Sequence, residues 1–167
     1  MQTETTQSIS KLEGLLATAA LLEETVLTTC KSDFLSFVRL MAPTLVSDWK
    51  MGQHIKLISQ KLQAMEEGKI KRLMVFLPPR SSKSVTCSKL FPAWYIGRHP
   101  EHEILTVSHS DQLSSDFGRS VRDIVNTELF QEVFRGVTLR SDVRAAGKWK
   151  TNHNGTCLLY TSPSPRD

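Results

Sequence analysis

Apolar residues recur at helical spacing along the first third of the chain. Leu12, Leu15, Leu16, Ala19, Leu22 and Val26 fall on one broad face of a helix. Ser10-Lys-Leu-Glu13 has the capping-box pattern, which predicts that the helix opens there. A second helix is expected over Asp33–Met41. It should stop at Ala42-Pro43, because a residue ahead of proline is pushed out of the α region. A third should begin near Lys50, with Ile55, Ile58, Leu62 and Met65 on one side and Gly68 as its terminator.

The pattern then changes. Leu73–Leu77 is a continuous apolar run, which predicts a strand buried on both faces in a parallel sheet. A helix should start near Lys83 and be disturbed by Pro92, with Trp94, Tyr95 and Ile96 going to the core. Glu103–Val107 reads as a second strand, ending in Ser108-His109-Ser110. Asp111–Asn126 is the next helix. Leu113, Phe117, Val121 and Val125 lie on one side of it, and Asp116, Arg119, Arg122 and Asp123 on the other. Strand and helix alternate over short connections, so the expected class is α/β, a parallel sheet flanked by helices behind an N-terminal helical segment. In such sheets ligands gather at the carboxyl ends of strands. The loop after Leu77 and Ser108–Ser110 both occupy such ends and are expected to share a crevice. His109 has two readings there, a crevice-lining residue or a hydrogen-bonded structural one.

Composition narrows this little. The 167 residues are 40% hydrophobic and 23% charged, as in one globular domain. The net charge of +4 is a mild lean toward polyanions. The polar N-terminus has no signal-peptide pattern, and Leu15–Leu22 is too short to cross a bilayer. Cys30, Cys87 and Cys157 are scattered, which speaks against a disulfide framework or a zinc site and for a reducing compartment.

The candidate chemistry lies in Arg72–Ser84, RLMVFLPPRSSKS. An apolar run, a tight turn and a Lys-Ser pair at a helix start outline a phosphate-binding loop. Backbone N–H groups at a helix N-terminus face an anion, a lysine reaches the outer phosphates, and a hydroxyl holds Mg²⁺. Against the pattern G-x-x-x-x-G-K-[ST], Leu77 and Ser82 stand where glycines would be. Ser82 matters more, because glycine there lets backbone approach phosphate without a Cβ. On the local pattern alone, an ordinary strand–turn–helix connection with a solvated lysine fits equally well.

Further blocks follow in order: FPAWYIGRHP, VSHSDQLSSDFGRSVRDIV and AAGKWKTNHNG, preceded by Trp49 and His54 ahead of an amphipathic helix. From about Asp33 to Gly155 this order resembles the large subunit of tailed-phage terminases, the motors that package viral DNA into procapsids. The resemblance implies a P-loop NTPase of the additional-strand class that uses ATP and Mg²⁺, joined in the family to a metal-dependent nuclease domain. Carried over, Lys83 would contact the β- and γ-phosphates and Ser84 would coordinate Mg²⁺. Ser81 and Ser82 would offer loop N–H groups, and Arg80 matches the family's loop arginine. Gln53 lies where related motors hold adenine. Arg119 and Arg122 match family arginines and would contact DNA or a neighbouring subunit; ion pairs with Asp116 or Asp123 are the other reading. The implied partners are double-stranded DNA, the portal protein, the small terminase subunit and further copies in a ring. The implied place is the host bacterial cytoplasm, with no membrane.

The family's acidic strand-end motif, needed to hold Mg²⁺ and orient water, lies beyond its Trp-x-Thr block, here Trp149-Lys150-Thr151. Nothing after Thr151 supplies it or a nuclease carboxylate cluster. Cys157–Asp167, CLLYTSPSPRD, resembles the in-frame translation of a transposase adapter used in sequencing libraries; a natural, proline-rich tail is the other reading. The expected organisation is therefore a helical segment over 1–30, a partial ATPase domain over 31–156, and an adapter-derived tail over 157–167. Such a fragment should be inactive and poorly soluble. Two other classes stay open: a helicase-like nucleic-acid ATPase, and a non-catalytic remnant that binds DNA or portal.

Overall fold

A computed structural model describes residues 2–145 and 148–161, with side chains for 13–142 and 148–160. Three helices lead: α1 (Gln2–Ser32), α2 (Phe34–Leu45) and α3 (Gln53–Glu66). Helical residues resume at Lys83, pass through a π-helical stretch, Val85–Leu90, and continue as α4 (Phe91–Arg98). Then come β1 (Glu103–Ser108), α5 (Asp111–Val125), α6 (Glu128–Val133), β2 (Leu139–Ala145), β3 (Lys148–Thr151) and β4 (Thr156–Thr161). The result is a mixed α/β fold in which helices flank one four-stranded sheet. No helix among the described residues is long and apolar enough to cross a membrane.

The helical layer follows the sequence pattern with informative differences. Helix α1 starts at Gln2, so Ser10 lies inside it and not at its opening. The leucines read as its packing face, Leu15, Leu16 and Leu22, are exposed with Val26, Leu12 lies outside the residues whose side chains are described, and among the described side chains the C-terminal end docks through half-buried Leu27 and buried Cys30. Asp33 caps α2 by accepting from the Ser36 N–H at 2.6 Å. That helix runs past the expected stop and carries Pro43 in its last turn. Gly68 adopts φ 74° after α3, the left-handed geometry expected of a terminator.

The junction of α1 and α2 is held from two sides. Gln63 on α3 accepts from the Phe34 N–H at 3.0 Å. Arg98 on α4 donates to the Lys31 and Ser32 carbonyls at 3.2 and 3.4 Å, satisfying acceptors that a helix end leaves open. Its guanidinium also lies 5.0 Å from the Trp94 ring centroid and 2.8 Å from Glu66. Phe34, Phe37, Met41, Leu90, Trp94 and Ile96 fill the space between these helices with no exposed surface.

The sheet departs from the expected parallel arrangement. Its order is β1-β4-β3-β2, with β1 and β4 parallel and the other neighbours antiparallel. The run Leu73–Leu77 is not a strand of it. Leu73, Val75 and Leu77 pack on the core, while Met74 and Phe76 are 78% and 80% exposed. That alternation means one face is covered, not two. A continuous apolar run does not distinguish the cases, because periodicity is silent when both alternating positions are apolar.

Residues 157–161, set apart in the sequence reading, lie in β4 between β1 and β3. Buried Cys157 and half-buried Ile104 and Leu159 belong to the face turned to the core. The other face presents Leu105, Val107 and Tyr160, each more than half exposed. Burial pushes the Cys30 thiol up to about 11 and Cys157 up to about 12, against an ordinary value of 9.0. Asp33 adds to the Cys30 shift. Both thiols stay protonated in the fold while the unfolded chain ionises, so this stability is present below pH 9 and is lost as pH rises through 11 and 12. Urea midpoints are expected to hold flat from pH 7 to 8.5 and fall above 9; replacing both cysteines with serine should remove that part of the fall.

Candidate phosphate-binding loop

The loop after Leu77 is shaped by local hydrogen bonds. The Ser81 hydroxyl donates to the Pro78 carbonyl at 2.7 Å and closes the turn. His54, from the first turn of α3, places ring Nε2 3.2 Å from the Ser81 carbonyl. Ser82 accepts at its carbonyl from the Thr86 N–H at 3.0 Å and the Thr86 hydroxyl at 3.2 Å, which fixes the first helical turn.

Arg80 and Ser82 both take left-handed backbone geometry, φ 62° and 58°. Ser82 is the position where the phosphate-loop pattern has glycine, and its φ is one that glycine adopts without strain. A side chain there costs on the order of 1 kcal/mol. Ser82→Gly is therefore expected to raise unfolding stability by about 0.5–1 kcal/mol in urea titrations, with the loop's hydrogen bonds retained.

Lys83 and Ser84 are the first helical residues after this turn, Lys83 half-buried and Ser84 exposed. The unbonded N–H groups of a first helical turn, with a lysine and a hydroxyl beside them, suit an anion. A cavity of about 390 Å³ is lined by residues from Leu77 to Val85, including Arg80, Ser81, Ser82, Lys83 and Ser84. These five predicted site residues are brought together. Cys87 lies one turn on; burial raises its thiol and the Lys83 charge opposes that rise.

Other predicted positions lie elsewhere. Ser108, His109 and Ser110 do not line this cavity, so the two strand-end loops do not share it. Leu73–Leu77 is displaced from the sheet, and the two loops therefore do not sit at neighbouring strand ends as expected. Gln53 opens α3, is exposed, and does not line the cavity either. Arg119 and Arg122 on α5 face carboxylates, with Arg119 3.7 Å from Asp116 and Arg122 3.1 Å from Asp123. His54 is the loop contact that residue chemistry did not single out, although its place ahead of an amphipathic helix was a signal.

No protein-family model matches the chain, and neither does a curated protein or a solved structure.

Proposed function

We propose that this chain is the N-terminal ATPase part of a phage terminase large subunit, and that Arg80–Ser84 binds the phosphates of ATP. One observation carries the reading. The residue in the glycine position, Ser82, has left-handed geometry immediately before a helix that opens with Lys83 and Ser84. This stands within the ordered sequence blocks that resemble the family.

The residues present fit the phosphate group. Lys83 would pair with outer phosphate oxygens as a point charge, and Arg80 would add a second cation. Ser84 would hold Mg²⁺ through its hydroxyl, the ion neutralising charge between phosphates. His54 positions the loop by bonding the Ser81 carbonyl. The parent protein would act on double-stranded DNA with a portal, a small subunit and further copies of itself, in the cytoplasm of a bacterial host. Arg119 and Arg122 are the DNA or subunit contacts in that reading.

The test is titration with a fluorescent ATP analogue and Mg²⁺, read by anisotropy. Saturable binding is expected, weakened at least tenfold in Lys83→Ala with an unchanged far-UV spectrum. No binding to the parent chain, or equal binding by the variant, would overturn the reading. The left-handed serine also favours a second reading, a loop that no longer takes nucleotide and a chain that only docks to DNA or portal. Ser82→Gly separates the two: restored nucleotide binding from an inactive parent chain supports the remnant.

A further inference from the structure

We propose that His99, Glu101 and His102 bind one divalent transition-metal ion of the zinc type. The site lies in the tight turn between α4 and β1, and the proposal does not rest on the reading of the phosphate loop.

One donor atom from each of the three side chains lies within 4.8 Å of the other two. The imidazoles are stacked, with centroids 4.8 Å apart and planes 7° from parallel. Proximity alone would be weak. The stronger observation is that one nitrogen of each ring already has an oxygen partner. Glu66, whose side chain is 3% exposed, has its carboxylate 2.7 Å from His99 Nε2. It accepts from Nε2–H and leaves the Nδ1 lone pair free. The Tyr95 hydroxyl lies 3.1 Å from His102 Nδ1. When it accepts from Nδ1–H, the Nε2 lone pair is free, on the edge 3.6 Å from Glu101. Metal-binding histidines characteristically pass their second N–H to a carboxylate or another oxygen, which fixes tautomer and orientation. Both rings have such a partner before any ion arrives.

The turn itself is fixed. The His102 N–H donates to the His99 carbonyl at 3.0 Å. The Pro100 carbonyl accepts from the Thr151 hydroxyl at 2.5 Å and from the Gly155 N–H at 3.1 Å. The His102 carbonyl accepts from the Thr156 N–H at 3.2 Å. The backbone between the donors is thus tied to the sheet. Tetrahedral ligands at zinc distances stand roughly 3.3 Å apart. His102 and Glu101, 47% and 60% exposed, have room to close the remaining gap. Two imidazoles and a carboxylate select zinc, cobalt or nickel over magnesium, and a fourth position stays open to water.

The test uses the full chain without an affinity tag. Calorimetry with ZnCl₂ at pH 7.5 should give one equivalent bound, and CoCl₂ should give a tetrahedral visible band. His102→Ala should weaken binding at least tenfold, and Tyr95→Phe severalfold, while excess MgCl₂ should not compete. Ring resonances of His99 and His102 should shift on zinc addition, and those of His54, His109 and His153 should not. No binding, or equal binding by His102→Ala, would overturn the proposal, as would shifts confined to the other histidines. Should His102→Ala not fold, Glu101→Gln, at an exposed position, carries the same comparison.

Discussion

Trp94→Ala is expected to cost about 3–5 kcal/mol. Trp94 is completely buried, with Phe34 and Phe91 at ring-centroid distances of 5.2 and 6.4 Å. Its neighbours come from α2, from α4 itself and, through the indole N–H, from α1, so no single element can shift to fill the hole. The indole N–H also donates to the Cys30 carbonyl at 3.0 Å. Truncation removes that donor from a buried acceptor, worth about 1 kcal/mol more. Arg98 loses the ring it lies over. Against a typical total of about 5–15 kcal/mol, the variant keeps a small margin. Urea denaturation should show a lower midpoint with an unchanged slope. A loss below about 1 kcal/mol would mean that the α1–α2–α4 junction is not packed as described.

Gly155→Ala is expected to cost about 1–3 kcal/mol for a different reason, overpacking against backbone. A Cβ at Gly155 would collide with the Pro100 carbonyl oxygen and stand 2.7 Å from that of His102. Neither obstacle is a side chain that could rotate away. Both carbonyls also accept bonds from Gly155 or Thr156, so relief would break the ties between the turn and β4. Hydrogen exchange locates the effect. Amides of Gly155 and Thr156 should lose protection while those of α2 keep theirs. Equal loss in both regions would contradict a local clash.

The helices were legible in the sequence where pattern and punctuation agree. Gly68 as a terminator, and Val121 and Val125 as the buried side of α5, follow from residue chemistry and spacing, whereas Asp33, read as the first residue of its helix, is the cap ahead of it. The early leucines misled because a helical stripe records only that a face is apolar, not that the body reaches it. Leu73–Leu77 misled because its alternation was hidden. The order of the sheet was beyond local reading, since β1 meets β4 across α5, α6, β2 and β3. In the loop, Lys83 and Ser84 at a helix start and the place of Ser82 in the glycine position were visible, but the left-handed backbone at Ser82 was not. The grouping of Glu66 and Tyr95 with the His99–His102 turn was not. It arises from α3 and α4 packing, and no spacing rule links position 66 to position 99.

The two buried thiols give the fold a chemical clock. Cys30 sits where α1 meets the helical core, and Cys157 sits inside the sheet. Near pH 8 each is held protonated and shielded, so a thiol reagent can react only through transient openings. Alkylation rates at the two positions therefore time the breathing of two regions separately in one sample. Equal rates identify a single cooperative unit. Unequal rates reveal which half of the molecule lets go first.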